Sequence, residues 1–350
     1  MALSTKTRHF LNLAVVLAIL AGSLWFALQG VQWGQLWEAI ARINLCWIVV
    51  SVAVTISSHF IRAERWRILI PDGNGVGRFN AFSATVIGYM MNNIIPRSGE
   101  VIRPWVLARR ESRPFSRLLA TVVVERILDG LALLLIFLLL LVVARQQLGN
   151  LLPGYTATGI FLTLSIPIIA AVVMVVLAVK TSLGTTLMDW LGRRFPGKLT
   201  AKLQEIFQEF RSGVNFSGAR GGALILFWSV LLWIFYAFSI YFAFLAFGYD
   251  QRYGLGMEAM VATLAITTVG ITIAPTPGAF GVYHLFCRAA LVTLYAVAES
   301  DAVAFALVLH AAPYLGTIVV GALLMLREGI SFGEATQHTK ENSEGKREDG

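Results

Sequence analysis

Three ionisable residues interrupt a run that is otherwise apolar: "VVVERILDGLALLL", residues 122 to 135, carries Glu125, Arg126 and Asp129. Helical spacings of three and four place all three on roughly one face. Charged groups at mid-bilayer depth cost at least about 2.5 to 3.5 kcal/mol each on insertion scales, so this face must meet a protein interior or a wet cavity. Two roles fit that placement, an ion pair that holds helices together and a contact to substrate. A second polar cluster lies in "NNIIPRSGEVIRPW", residues 92 to 105. Arg97 and Arg103 there suit a phosphate, because a guanidinium donates to two oxygens at once. Glu100, three residues from each, is placed to pair with one of them, to bind a cationic group or to carry a proton.

Backbone breakers surround these charges. Asn92 and Asn93 are candidates to cap a broken helix or to line a cavity. Pro96 and Gly99 mark a turn, and a second string, "APTPGAFGVYH" at residues 274 to 284, repeats the P-x-x-G core with Pro275, Pro277 and Gly278. His284 and Arg288 follow at helical spacing, and His310 lies in the last apolar run before Pro313. These histidines are candidates for proton relay or for hydrogen-bonded packing. No metal-ligand constellation, phosphate loop, nucleotide fingerprint or nucleophile elbow is present, so neither a cofactor nor a catalytic residue is expected. The two cysteines, Cys46 and Cys287, both lie in apolar surroundings and offer no disulfide framework.

The elements that position these groups are membrane helices. Hydrophobic residues make up 57% of 350 and charged ones only 14%, and the mean hydropathy is +0.71, which excludes an ordinary soluble domain. Apolar runs at 10 to 28, 45 to 61, 115 to 144, 156 to 179, 221 to 247 and 302 to 326 predict about six full spans. The first run lacks a clear cleavage site and reads as a retained anchor. Two further runs, 79 to 104 and 259 to 297, are interrupted by proline and glycine and predict re-entrant hairpins, which a membrane tolerates where protein or water surrounds the irregular backbone.

With the termini cytoplasmic and the first hairpin returning to its own side, most Lys and Arg fall inside, Arg62, Arg65, Arg67 and Arg78 among them. The net charge of +8 thus reads as a topology signal, and no nucleic acid is expected. The order of elements also repeats. A span, an amphipathic stretch ("WGQLWEAI", then "KLTAKLQEIFQEF"), a span, an interrupted hairpin and a last span occur in residues 10 to 144 and again in 156 to 330. Three full crossings per half predict an inverted repeat, whose paired breaks point to a transport site near the midplane. Residues 1 to 9 and 331 to 350 read as a cytoplasmic N-terminus and a disordered cytoplasmic tail.

"NNIIPRSGEVIRPWVLARRE", then "LLATVVVERILDGLALLL", then "APTPGAFGVYH" resemble the lysylphosphatidylglycerol synthase transmembrane family, also called the flippase-like or uncharacterised membrane protein family 0104. The resemblance spans about residues 10 to 330. It implies an integral protein of the prokaryotic cytoplasmic membrane, in a family whose two-domain members move a modified lipid between leaflets. The chain ends soon after its last apolar run, so aminoacylation by this chain alone is not expected, and a separate lipid-modifying enzyme is an expected partner. The resulting expectation is a flippase-like transporter of an anionic or phosphate-bearing lipid, with Arg97, Arg103 and Arg126 holding phosphate and Glu100, Glu125 or Asp129 balancing charge. An integral-membrane transferase acting on polyprenyl-linked sugar or aminoacyl lipid, and a non-transporting accessory subunit, are the alternatives.

Overall fold

The computed structural model describes residues 31–70, 75–95, 97–144, 181–195, 218–274 and 276–330, with isolated positions elsewhere. Among these residues there are helices and no strand: α1 (Trp33–Ala41), α2 (Leu45–Leu69), α3 (Arg78–Ile94), α4 (Gly99–Glu111), α5 (Phe115–Val143), α6 (Leu183–Arg194), α7 (Gly218–Phe247), α8 (Tyr249–Arg252), α9 (Met257–Ile273), α10 (Val282–Tyr295) and α11 (Glu299–Glu328). Four are long and apolar enough to cross a bilayer: Leu45–Leu69, Phe115–Val143, Arg220–Phe247 and Glu299–Glu328. The expected spans at 10 to 28 and 156 to 179, the second amphipathic stretch and the tail lie largely or wholly outside the described residues, as do Pro96 and Pro275.

Local chemistry sets the helix limits. Asn44 starts α2 by accepting from the Cys46 amide at 3.0 Å. Ser112 turns left-handed to end α4, and Pro114 follows at the mouth of α5. Gly248 and Gly329, both left-handed, end α7 and α11. Where an apolar run ends at Ile61 the helix does not: α2 continues through Arg62 and Arg65 to Leu69. Both arginines are buried, so they are not the exposed loop cations that hydropathy alone suggests. In the predicted amphipathic stretch, α1 buries Leu36 against Val303 and Ala304, while Trp33 and Trp37 project outward.

Two helix–break–helix pairs, α3–α4 and α9–α10, sit between long helices. The two pairs pack alike: α3 runs against α11, and α9 runs against α5. Each pair therefore leans on a long helix remote from it in sequence. The long helices α2 and α7 lie side by side, joined by Ser51, Thr55 and Ser239, whose hydroxyls meet at 2.9 Å. Small polar residues of this kind let apolar helices approach closely and bond across the contact. Inside the first pair the backbones touch: a Cβ on Gly99 would lie 2.0 Å from the Gly88 carbonyl oxygen. Only glycine fits there. The core around the first pair centres on Trp66, Ile87, Met91 and Ile102, and that around the second on Phe244, Leu291 and Phe305.

Candidate functional site

Helical spacing on α2 brings Arg62 and Arg65 to the carboxylates of α5, while His59, one turn earlier, meets Thr317 of α11 at 3.3 Å. Arg62 donates to Glu125 in a very short contact and to Asp129 at 2.8 Å. Arg65 reaches Glu125 at 3.0 Å and Asp129 at 2.6 Å. From α4, Arg103 pairs with the second Glu125 oxygen at 2.7 Å, and its guanidinium lies 3.8 Å from the centre of the Trp66 ring. Glu125 is fully buried and is the hub of three arginines. Burying such ions is tolerable only because each is paired. Three cations against two carboxylates still leave the cluster with one positive charge in excess.

Above this cluster opens a cavity of about 740 Å³, walled by α2, α3, α5, α7, α9, α10 and α11. Its charged lining consists of Arg62, Arg97, Arg126 and Asp129. Arg126 is 38% exposed and makes only long contacts, 3.4 Å each, to Asp129 and Glu100. Arg97 is exposed, holds a left-handed backbone (φ 60°), and has no carboxylate within 4 Å among the described residues. The single acidic group, Asp129, is already held by Arg62 and Arg65. The cavity thus presents net positive charge surrounded by hydroxyls, Tyr89, Tyr236 and Thr317 among them.

The two breaks meet at this cavity. In the first, the Asn92 side chain accepts from the Gly99 amide at 2.7 Å and Ser98 donates to the Met91 and Ile95 carbonyls, so freed backbone groups are satisfied locally. In the second, Pro277–Ala279 forms a short 3-10 turn with Gly278 left-handed. His310 bonds the Gly278 carbonyl at 2.8 Å, and Tyr314 donates to the Asn93 carbonyl at 2.9 Å. A Cβ on Gly278 would stand 3.1 Å from that same Asn93 oxygen.

Of the residues singled out by sequence, Asn92, Asn93, Arg97, Arg126, Asp129, Gly278 and His310 line the cavity. Arg103 and Glu125 lie buried in the ionic cluster and not among the lining groups, and Glu100 touches the site only through Arg126. Gly99 serves the close helix contact. His284 packs edge-on to His310, with ring centres 4.9 Å apart, whereas Arg288 turns to Glu299 at 2.8 Å and is not brought to the cavity. Sequence reasoning missed His59, Arg62, Arg65, Tyr89, Tyr236 and Tyr314. A signal existed for two of them: two carboxylates beside one arginine need further cations, and Arg62 and Arg65 stand three apart on one helix face.

A multi-pass helical membrane protein with a cationic cavity between two broken helices is the class that this fold and site define. Residues 12–321 match the family described as the lysylphosphatidylglycerol synthase TM region, and the chain belongs to it. It is 26% identical over 252 residues to a UPF0104 membrane protein of Methanocaldococcus jannaschii, covering 70% of this chain and 74% of that one. A UPF0104 membrane protein of Methanothermobacter thermautotrophicus is 25% identical over 261 residues, 71% of this chain and 75% of the other. No solved structure matches the chain significantly.

Proposed function

We propose that this protein is a flippase-like lipid transporter of a prokaryotic cytoplasmic membrane, moving a phospholipid or lipid-linked headgroup between leaflets. One observation carries the reading: three arginines and one already-paired carboxylate line a cavity at the meeting point of two helix breaks. The headgroup is anionic or phosphate-bearing. It enters the cavity and is held by Arg62, Arg97 and Arg126, while the lipid tails stay in the bilayer.

In this reading the α3–α4 and α9–α10 pairs are re-entrant hairpins entering from opposite faces, in two inverted halves of about residues 10 to 144 and 156 to 330, with both termini cytoplasmic. The exchanged packing of each pair on the other half supports that arrangement. A transferase would need a free carboxylate base beside the phosphate, and the engagement of Asp129 by two arginines disfavours that role.

The deciding experiment reconstitutes the protein in vesicles with tail-labelled phosphatidylglycerol, phosphatidylcholine or polyprenyl phosphate and follows exchange between leaflets against empty vesicles. Faster exchange of the anionic probes than of phosphatidylcholine, lost in Arg97→Ala, is expected. No protein-dependent exchange of any probe would overturn the reading.

A further inference from the structure

We propose that His310 is a proton-binding site of the cavity and that a proton moves together with each anionic headgroup. The inference rests on the transport reading above and adds its energy source. The starting point is a hydrogen bond whose direction is fixed. The Gly278 carbonyl only accepts, so the His310 Nε2 at 2.8 Å must carry the hydrogen. In the neutral ring the other nitrogen, Nδ1, is then a bare base. It is buried and has no hydrogen-bond partner among the described residues. With the cavity empty a proton there would find no acceptor, whereas an anionic oxygen entering the cavity that His310 lines can accept from an Nδ1–H.

The neighbours of His310 offer that nitrogen no other partner. Tyr283 stacks on the ring at 4.9 Å and Phe280 meets it edge-on at 4.8 Å. Tyr314 stands at 5.8 Å with its hydroxyl committed to the Asn93 carbonyl. His284, on α10, is engaged at its own Nδ1 by the Gly281 amide at 3.2 Å. None of these ring neighbours carries a fixed charge. The charged groups that share the cavity are Arg62, Arg97, Arg126 and Asp129.

Coupling follows from that charge set. With the cavity empty, a proton on His310 joins an existing excess of positive charge and is opposed. When an anionic headgroup occupies the arginines, the excess is cancelled and the proton is favoured. By reciprocity the protonated ring then strengthens headgroup binding. A monoanionic lipid carried with one proton crosses without net charge. A pH gradient therefore drives it, whereas a membrane potential does not.

The test uses the full-length protein in vesicles holding tail-labelled phosphatidylglycerol, a monoanion, with a pH difference of one unit across the membrane. One proton per lipid predicts a leaflet ratio of about tenfold at equilibrium, since one pH unit corresponds to a factor of ten in proton activity. A potassium diffusion potential at equal pH should leave the ratio near one. His310→Gln keeps an amide donor for the Gly278 carbonyl but has no titratable nitrogen. Its exchange should slow, because the cavity loses a group that strengthens headgroup binding, and whatever exchange remains should lack the gradient-driven asymmetry. Exchange that proceeds in the wild type with equal leaflets despite the pH difference would overturn the proton site alone. Absence of exchange would overturn the transport reading and the proton site with it. If the variant does not fold, the wild-type ratio still tests the coupled proton, read before empty vesicles given the same pH difference have redistributed the lipid, and an absent protein-dependent asymmetry overturns the proposal.

Discussion

The Tyr314 hydroxyl donates to the backbone carbonyl of Asn93 at 2.9 Å, so a side chain of the closing helix α11 holds the first helix break against the second. Both ends of that bond lie on the cavity wall. Tyr314→Phe removes it and leaves an acceptor unpaired, at a cost of about 1–3 kcal/mol. Thermal unfolding in detergent should show the loss, and leaflet exchange should slow because the headgroup site loses its floor. An unchanged melting temperature and an unchanged rate would show that the two breaks are held by other contacts.

Glu125 pairs with three arginines, and Glu125→Gln leaves those charges without their hub. Breaking a buried ion pair from one side costs about 3–5 kcal/mol, so the protein should be severely destabilised. Combining Glu125→Gln with Arg103→Met removes one surplus cation together with the carboxylate. The double variant should then be less destabilised than the sum of the two single ones, and strict additivity in a double-mutant cycle would refute the pairing.

Arg97 is exposed and makes no ion pair among the described residues, so Arg97→Ala should change stability by no more than about 0.5 kcal/mol. Transport of an anionic lipid should nonetheless fall. A rate equal to wild type would remove Arg97 from the binding site. Arg97→Lys, which keeps the charge but loses the fork, should restore part of the rate.

Gly99→Ala drives a methyl group to 2.0 Å from the Gly88 carbonyl and has no room to relax without parting α3 from α4. Several-degree loss of melting temperature is expected, or failure to accumulate in the membrane. Gly222→Ala on α7 meets nothing within 4 Å and should be neutral or slightly stabilising, by up to about 1 kcal/mol.

Orientation has its own test. Single cysteines in place of Arg109, exposed near the end of α4, and Gln251, exposed in α8, should react with an impermeant thiol reagent from opposite sides of the membrane, Arg109 from the cytoplasm. Cys46, which is exposed, should first be replaced by serine. Labelling of both positions from one side would rule out the inverted arrangement.

Four of the expected spans correspond to long apolar helices, because uninterrupted apolar length is a local property that a bilayer imposes directly. The breaks at "IPRSG" and "TPG" were also legible, since proline and glycine act on their own backbone. The paired arginines were not. Hydropathy drops at Arg62, and nothing near it in the chain reveals that Glu125 and Asp129 will neutralise it. That information exists only once α2 and α5 are packed. The role of Tyr314 was hidden for a related reason: a tyrosine in an apolar run reads as an interfacial residue until its partner, a backbone oxygen, is known.

Because α3 rests on α11 and α9 on α5, each helix–break–helix pair takes part of its wall from a helix on the far side of residues 144 to 181. If the proposed two halves hold, they are interlocked subunits that share one polypeptide. A chain cut between residues 144 and 181 and produced as two fragments should therefore reassemble in the membrane, and either fragment made alone should be cleared as an orphan.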